Sequence, residues 1–479
     1  MIPCAVTGPI NTVSAAFKTT ADGEATTLPP SAPSAGRVGV TLGLLLVPQF
    51  VAIGAPSVAL PTIARALGVP FGATAWVIAG WALASAVAMP LVGRLADRWG
   101  VRRLMIASAA LVVLGSVVAA VSSSLALVTV GRLVGGLGAG GNVITSYATV
   151  DGRVDGDSRL RALAILAAFG GTASGAGTLV GGVLTEVLGW RWAIAVPAVE
   201  VLALLPAARL APGGGDRGQR VDLTGATLLT VVGGAVVTLL QARATGLATS
   251  VVVLLAAVVL VGGVALVVRV RRRPEGFVPR SVVSAPGYLA AGVVGLTIVA
   301  GYYGLLYAAP ELLQRSFGWT SLVVGLALLP AALCSLLAAR VVGILATRTA
   351  PWRITAVLGA LTTAGLVLAA SLAHTAAVIP AMALVTAGFA GCQAVLVGLA
   401  PRLVPAGERK PALGLFNFLL YGGGAVGPAA VGGLSVVSVP FALTVVAALP
   451  MLGTALSLLA RPGSGGPLDD PSATCHRRT

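Results

Sequence analysis

Long apolar runs alternate along the chain with short connections rich in arginine and glycine. About 20 consecutive apolar residues carry an α-helix across a hydrocarbon core of about 30 Å. Inside a bilayer only helices and closed barrels satisfy every backbone N–H and C=O. The runs predict fourteen helical spans, at 39–61, 70–92, 104–122, 125–147, 161–185, 192–210, 223–241, 248–268, 286–309, 319–342, 354–373, 376–399, 411–434 and 437–459. An even number of crossings puts both termini on one side. Basic residues choose that side, because arginine and lysine collect in cytoplasmic connections. Arg94, Arg98, Arg102 and Arg103 follow the second span, Arg153, Arg159 and Arg161 the fourth, Arg269, Arg271, Arg272, Arg273 and Arg280 the eighth, and Arg340, Arg348 and Arg353 the tenth. Only Arg65, Arg191, Arg243 and Arg315 fall opposite, so both termini are expected in the cytoplasm.

Composition agrees. The 479 residues are 57% hydrophobic and 10% charged, against about 25% charge in a soluble domain. The net charge of +16 would point to nucleic acid in a soluble protein. Here topology accounts for the arginines, and the expected surroundings are a lipid bilayer with no nucleic acid. Four scattered cysteines (Cys4, Cys334, Cys392, Cys475) and two histidines (His374, His476) offer no metal-ligand spacing and no catalytic cluster. No metal, no cofactor and no enzymatic activity are expected. The "GAGG" at 138–141 lies inside a span without a following Lys-Ser/Thr, so it is not a phosphate loop. With no nucleotide-binding element in view, an ion gradient is the expected energy source. The preference for arginine over lysine, with abundant Ala, Gly and Val, suits a GC-rich bacterial genome and hence a bacterial cytoplasmic membrane.

An internal repeat organises the chain. "VGRLADRWGVRRL" at 92–104 returns as "VGILATRTAPWRI" at 342–354, with Thr347 where the first copy has Asp97. "SGAGTLVGG" at 174–182 has an echo in "GAVGPAAVGG" at 424–433. Two bundles of common design are expected, with a cavity between them. The boundaries read as a disordered cytoplasmic tail (1–38), a six-helix bundle (39–210), two inserted helices with basic flanks (211–285), a second six-helix bundle (286–460) and a C-terminal tail (461–479).

Over about residues 39–460 the chain resembles the major facilitator superfamily, in particular its fourteen-helix drug:proton antiporter branch. The resemblance rests on "GRLADRWGVRR" with Gly93, Asp97, Arg98, Gly100 and Arg103, on "GRLVGGLGAG" with Arg132, on "DSRLRALAI" and "WRWAI", and on "VDLTGATLL" from Val221. It implies a transporter of two bundles, clasped at the cytoplasmic mouth by Asp97. The chain departs from the pattern at Ala52, where helix 1 commonly carries an acid, at Gly135, where a glutamine is usual, and at Thr178, where the helix 5 motif has proline.

Ionisable residues inside spans are costly and mark function. Arg132 and Glu200, each about seven residues from the outer end of its predicted span, are candidate partners in proton coupling, with Glu200 replacing the absent helix 1 acid. Glu311, after Pro310, is a third candidate at the outer mouth. Gln49, Trp81, Asn142, Tyr303, Tyr307, Gln393 and Asn417 are candidate substrate contacts, because sparse polar and aromatic points in an apolar cavity suit amphipathic organic molecules. Tyr302 belongs to the same tyrosine cluster. Gly177, Gly181, Gly182 and Gly427 are expected to permit close helix packing. The reading is a monomeric exporter of an organic amphiphile, an antibiotic or drug-like compound, exchanged for protons. The alternative is an exporter or facilitator of another small metabolite without tight proton coupling.

Overall fold

The structure, a computed structural model, describes residues 33–215, 222–273, 276–346, 348–372 and 377–459. Most of the expected N-terminal tail, Arg217, Arg220, Thr347, His374 and the expected C-terminal tail lie outside the described residues.

Fourteen apolar helices succeed one another among the described residues, and there is no strand. They are α1 (Ala35–Leu67), α2 (Phe71–Trp99), α3 (Val101–Val121), α4 (Leu125–Asp151), α5 (Gly156–Val187), α6 (Trp190–Leu210), α7 (Thr224–Leu240), α8 (Thr249–Arg272), α9 (Tyr288–Phe317), α10 (Ser321–Leu345), α11 (Pro351–Ser371), α12 (Val378–Arg402), α13 (Pro411–Leu434) and α14 (Val439–Leu459). Thirteen are long and apolar enough to cross a membrane, and α7 is the shorter one. Each of the fourteen predicted spans corresponds to one helix.

Packing follows a repeated scheme. In the first part α1 lies along α5, and α4 packs on α2 and α3. Eight helices later α9 lies along α13, and α12 packs on α10 and α11. The contacts between these parts repeat in the same way, with α2 on α13 and α10 on α5, while α1 meets α9. Glycine makes the two long pairings possible. A first side-chain carbon on Gly181 would come 2.3 Å from the Ala55 carbonyl oxygen, and one on Gly427 would come 2.1 Å from that of Ala300. Gly177 meets Gly54 of α1, and Gly182 reaches across to Ser321 of α10.

The intervening hairpin is attached differently. α7 packs on α2 and α13, whereas α8 packs on α7 and has no buried residue. In lipid that costs nothing, because hydrocarbon tails are as apolar as leucine.

Candidate functional site

Prolines shape the site. In α6 the helix breaks into a tighter 3-10 turn at Val196–Glu200, around Pro197, and resumes at Val201. Glu200 ends that turn and is completely buried. Both of its carboxyl oxygens accept side-chain hydrogen bonds. Gln49 of α1 donates through Nε2 to Oε2, and Asn142 of α4 donates through Nδ2 to Oε1 at 3.0 Å. The opposite atoms of the two amides, Gln49 Oε1 and Asn142 Oδ1, are buried without a partner. Buried polar atoms normally find partners, so this site carries spare acceptors.

Arg132 occupies a second site, between α1, α2 and α4. It is 1% exposed. Its Nη2 donates to the Ala52 carbonyl at 2.6 Å and its Nε to the Val77 carbonyl at 2.7 Å. The guanidinium lies 4.2 Å from the centre of the Trp81 ring, and its Nη1 has no partner. The Ala52 acceptor has a local origin. A helical carbonyl is normally bonded by the N–H four residues on, and here that residue is Pro56, which has none. Arg132 therefore satisfies a carbonyl that the helix itself leaves open.

The expected pairing of Arg132 with Glu200 is not what the structure shows. Asn142, which holds Glu200, lies ten residues beyond Arg132 on α4, about 15 Å along the axis. Counting depth from the ends of predicted spans placed the two side chains level. The 3-10 break at Val196–Glu200 interrupts the regular rise that the count assumed for α6. The acid is satisfied by neutral amides and the cation by backbone carbonyls.

Gln49, Asn142 and Trp81, expected to contact substrate, are thus engaged in these two clusters and buried. Tyr307 is engaged elsewhere. It stacks on Phe71 at 4.7 Å and donates its hydroxyl to the Phe71 carbonyl at 2.7 Å, joining α9 to the start of α2. Nearby Gln314 Nε2 donates to the Val58 carbonyl of α1 at 3.1 Å. Side chains of α9 therefore hold backbone carbonyls of α1 and α2 at this end of the molecule.

Tyr302 and Tyr303 form an aromatic group with Phe389 of α12. Tyr302 and Phe389 stack at 4.2 Å, and Tyr303 stands edge-on to both, at 5.2 Å and 6.1 Å. The Tyr303 ring also faces Gly424 of α13, which in turn faces Ala82 of α2. This places the aromatic group where the two repeated parts meet. Gln393 and Asn417 are half-buried, and Asn417 donates to the Leu413 carbonyl of its own helix at 2.9 Å. Glu311 is half-buried near the end of α9, within electrostatic reach of Arg315 and Arg65.

At the opposite end Gly100 links α2 to α3 at φ 90, a value that favours glycine. Asp97 is exposed and, among the described residues, its carboxyl makes no hydrogen bond or ion pair and acts only electrostatically on Arg94, while the side chains of Arg98 and Arg103 make no hydrogen bond or ion pair either. The side-chain hydrogen bond that the "VGRLADRW" stretch makes comes from Arg94. It donates to the Gly276 carbonyl at 2.8 Å and lies 5.9 Å from the centre of the Phe277 ring. Asp222 holds the same segment from the other side. It caps α7 through the Gly225 N–H, accepts from the Phe277 N–H at 3.0 Å and pairs with Arg269 of α8. Burial works to raise its pKa, but the Arg269 guanidinium and the two N–H groups outweigh it and hold the carboxyl at about 2.

Sequence reading missed Asp222, Phe389 and Gln314. "VDLTG" marked Asp222 only as part of a string, although Asp before a helix is an available capping signal. Phe389 and Gln314 act through partners distant in the chain.

Comparison with known proteins supplies the class. The family model for the Major Facilitator Superfamily matches residues 42–217 and 222–428. The chain is 30% identical over 301 residues to the multidrug resistance protein Stp of Mycobacterium tuberculosis, covering 61% of this chain and 55% of that protein. It is 28% identical over 313 residues to the probable multidrug resistance protein EmrY of Escherichia coli, covering 64% and 61%. It is 26% identical over 295 residues to the methylenomycin A resistance protein of Bacillus subtilis, covering 61% and 63%. The matched segment thus spans between half and two thirds of each relative's length. Among solved structures, the POT family transporter PepTSo aligns with a TM-score of 0.67 at 14% identity, covering 89% of this chain and 98% of that one. The human organic anion transporter MFSD10 aligns with a TM-score of 0.56 at 18% identity, covering 89% and 100%. Fourteen apolar helices in a repeated packing scheme, with matching family sequence along most of their length, make this chain a member of the Major Facilitator Superfamily.

Proposed function

We infer that the protein exports an organic amphiphile, an antibiotic or drug-like compound, across the bacterial cytoplasmic membrane in exchange for protons, with Glu200 as the proton carrier. The observation that carries this reading is a completely buried carboxyl group bonded only by neutral amides from α1 and α4. An intramembrane acid without a permanent cation is suited to taking up and releasing a proton. Three relatives named for drug or antibiotic resistance support the choice of cargo. The Tyr302–Tyr303–Phe389 group supplies flat faces for an aromatic or cationic cargo where the two parts meet.

In this reading residues 39–210 and 286–460 are two bundles that rock about the cargo site, joined by the hairpin of 211–285, and both termini are cytoplasmic. Tyr307 and Gln314 close the outer end, and the Asp97 clasp at the inner end is open. The structure then corresponds to a state facing the cytoplasm. One chain contains both bundles, so a monomer suffices.

The test uses the purified protein in proteoliposomes with an imposed pH gradient and a panel of fluorescent amphiphiles. The gradient should drive accumulation of at least one of them, and Glu200→Gln should abolish the driven component while leaving downhill exchange. Driven accumulation that survives in Glu200→Gln removes Glu200 as carrier. Downhill movement with no response to the gradient in the unaltered protein favours a facilitator, the reading to which the alanine at position 52 points.

A further inference from the structure

We propose that the Gln49 carboxamide reports the protonation state of Glu200 by turning over, so that loading a proton rewrites the contact between α6 and α1 while the contact with α4 persists. This rests on Glu200 being the proton carrier, as inferred above.

The hydrogen-bond inventory leads there. Ionised, Glu200 has two acceptor oxygens and meets two N–H donors, one from Gln49 and one from Asn142. A proton on Oε2 turns that oxygen into a donor facing another donor. The only remedy within reach is an acceptor. Gln49 Oε1 is buried, unpartnered and on the same carboxamide. A half-turn of the amide exchanges N–H for C=O and converts Gln49 Nε2–H···Oε2 into Oε2–H···Oε1 of Gln49. The count of hydrogen bonds at Glu200 is unchanged, and nothing outside the cluster is required. Asn142 continues to donate to Oε1 in both states.

Two observations select Gln49 over Asn142 as the side chain that turns. Gln49 has one more rotatable bond. Its helix, α1, also meets α9 and accepts the Gln314 hydrogen bond at Val58, nine residues further on, whereas α4 packs mainly within the first part. A change at Gln49 therefore acts on the helix that bridges to the second part.

Among the described residues no other titratable side chain competes at the site. The segment Val196–Glu200 packs against α1 and α3. α1 is charged only at Arg37 and Arg65, near its ends, and α3 only at Arg102 and Arg103, in its first turn. On α4, Tyr147 lies five residues past Asn142, Asp151 closes the helix and Arg132 lies ten residues before it. Within α6, Arg191 is at the start and Arg209 at the end.

The experiment is pH-jump infrared difference spectroscopy on the purified full chain carrying glutamine labelled with carbon-13 at the side-chain carbonyl. The expected result is a carboxylic C=O band that appears on acidification together with a shift of one labelled amide band. Gln49→Leu should remove the amide shift and keep the Glu200 component of the carboxylic signal, and Glu200→Gln should remove both. In proteoliposomes Gln49→Leu should slow gradient-driven transport about ten-fold or more, the scale of one hydrogen bond to a charged group, while Gln49→Asn retains part of it. A carboxylic band that appears with no change in any labelled amide overturns the proposal and leaves the carrier role of Glu200 standing. A carboxylic region that is the same in Glu200→Gln as in the unaltered protein overturns the carrier role itself.

Discussion

The two repeated parts of the molecule share a packing plan and differ in what they bury. In α1–α6 the interior holds Arg132 and Glu200, each tied to α1, with buried amides around the acid. In α9–α14 the equivalent region holds Tyr302, Tyr303 and Phe389. Packing is thus the inherited element and interior chemistry the diverged one. One architecture, laid down twice, buries charged side chains in one copy and stacked aromatic rings in the other.

The largest effect should come from breaking what the copies share. Gly181→Leu and Gly427→Leu each force a side chain onto a facing backbone carbonyl. Each should cost about 3 kcal/mol or more and lower the yield of folded protein by size-exclusion profile. If only one of the pair is sensitive, the copies are not packed alike. Next comes the chemistry confined to the first part. Arg132→Met leaves the Ala52 carbonyl open and should lower thermal stability by about 2–4 kcal/mol. Arg132→Lys should not restore it, because an ammonium cannot span two carbonyls as a planar fork does. Full rescue by lysine would show that charge alone matters there. A smaller effect belongs to the second part. Tyr302→Ala or Phe389→Ala should weaken binding of a transported aromatic amphiphile by about 1 kcal/mol, roughly five-fold, with little change in the melting temperature. An unchanged affinity would move the cargo site elsewhere.

The smallest effect should come from the hairpin, which belongs to neither part. Asp222→Asn removes a partly exposed ion pair and should cost no more than about 1 kcal/mol at neutral pH. Its pH dependence has a definite sign. The folded carboxyl titrates at about 2, below the ordinary value of about 4. Its contribution is therefore complete above about pH 4 and is lost only as pH falls toward 2. Melting temperatures of the unaltered protein and Asp222→Asn, compared from pH 7 to pH 4, should stay separated by a constant interval. Convergence well above pH 4 would show that the Arg269 contact does not form.

The helices were legible because the solvent dictates them. A run of apolar residues between arginine-rich connections has one solution in a bilayer, and the repeat at 92–104 and 342–354 announced the two-part plan. The burial of Arg132 and Glu200 was legible for a related reason, since few ionisable side chains interrupt the spans. Their partners were not. Arg132 bonds to the carbonyls of Ala52 and Val77, and a carbonyl leaves no mark in a sequence unless, as at Pro56, the missing donor gives it away. Gln49 and Asn142 were singled out as polar points in apolar helices, but nothing along the chain says that the break in α6 turns Glu200 toward them. Tyr303 and Tyr307 share a face of α9 by spacing, and only the neighbouring helices separate an aromatic group from a hydroxyl that grips Phe71.

That grip has an evolutionary corollary. The hydrogen bonds of Tyr307 and Gln314 fasten onto the main chain at Phe71 and Val58, and the Phe71 ring adds a stack on Tyr307. A codon change at Val58 leaves its carbonyl oxygen in place, whereas one at Phe71 keeps the carbonyl and loses the stack, so heritable adjustment of this contact falls on the donor residues of α9 and on Phe71. Variants selected for altered transport kinetics should accumulate at these three positions, and Val58 should be free to vary.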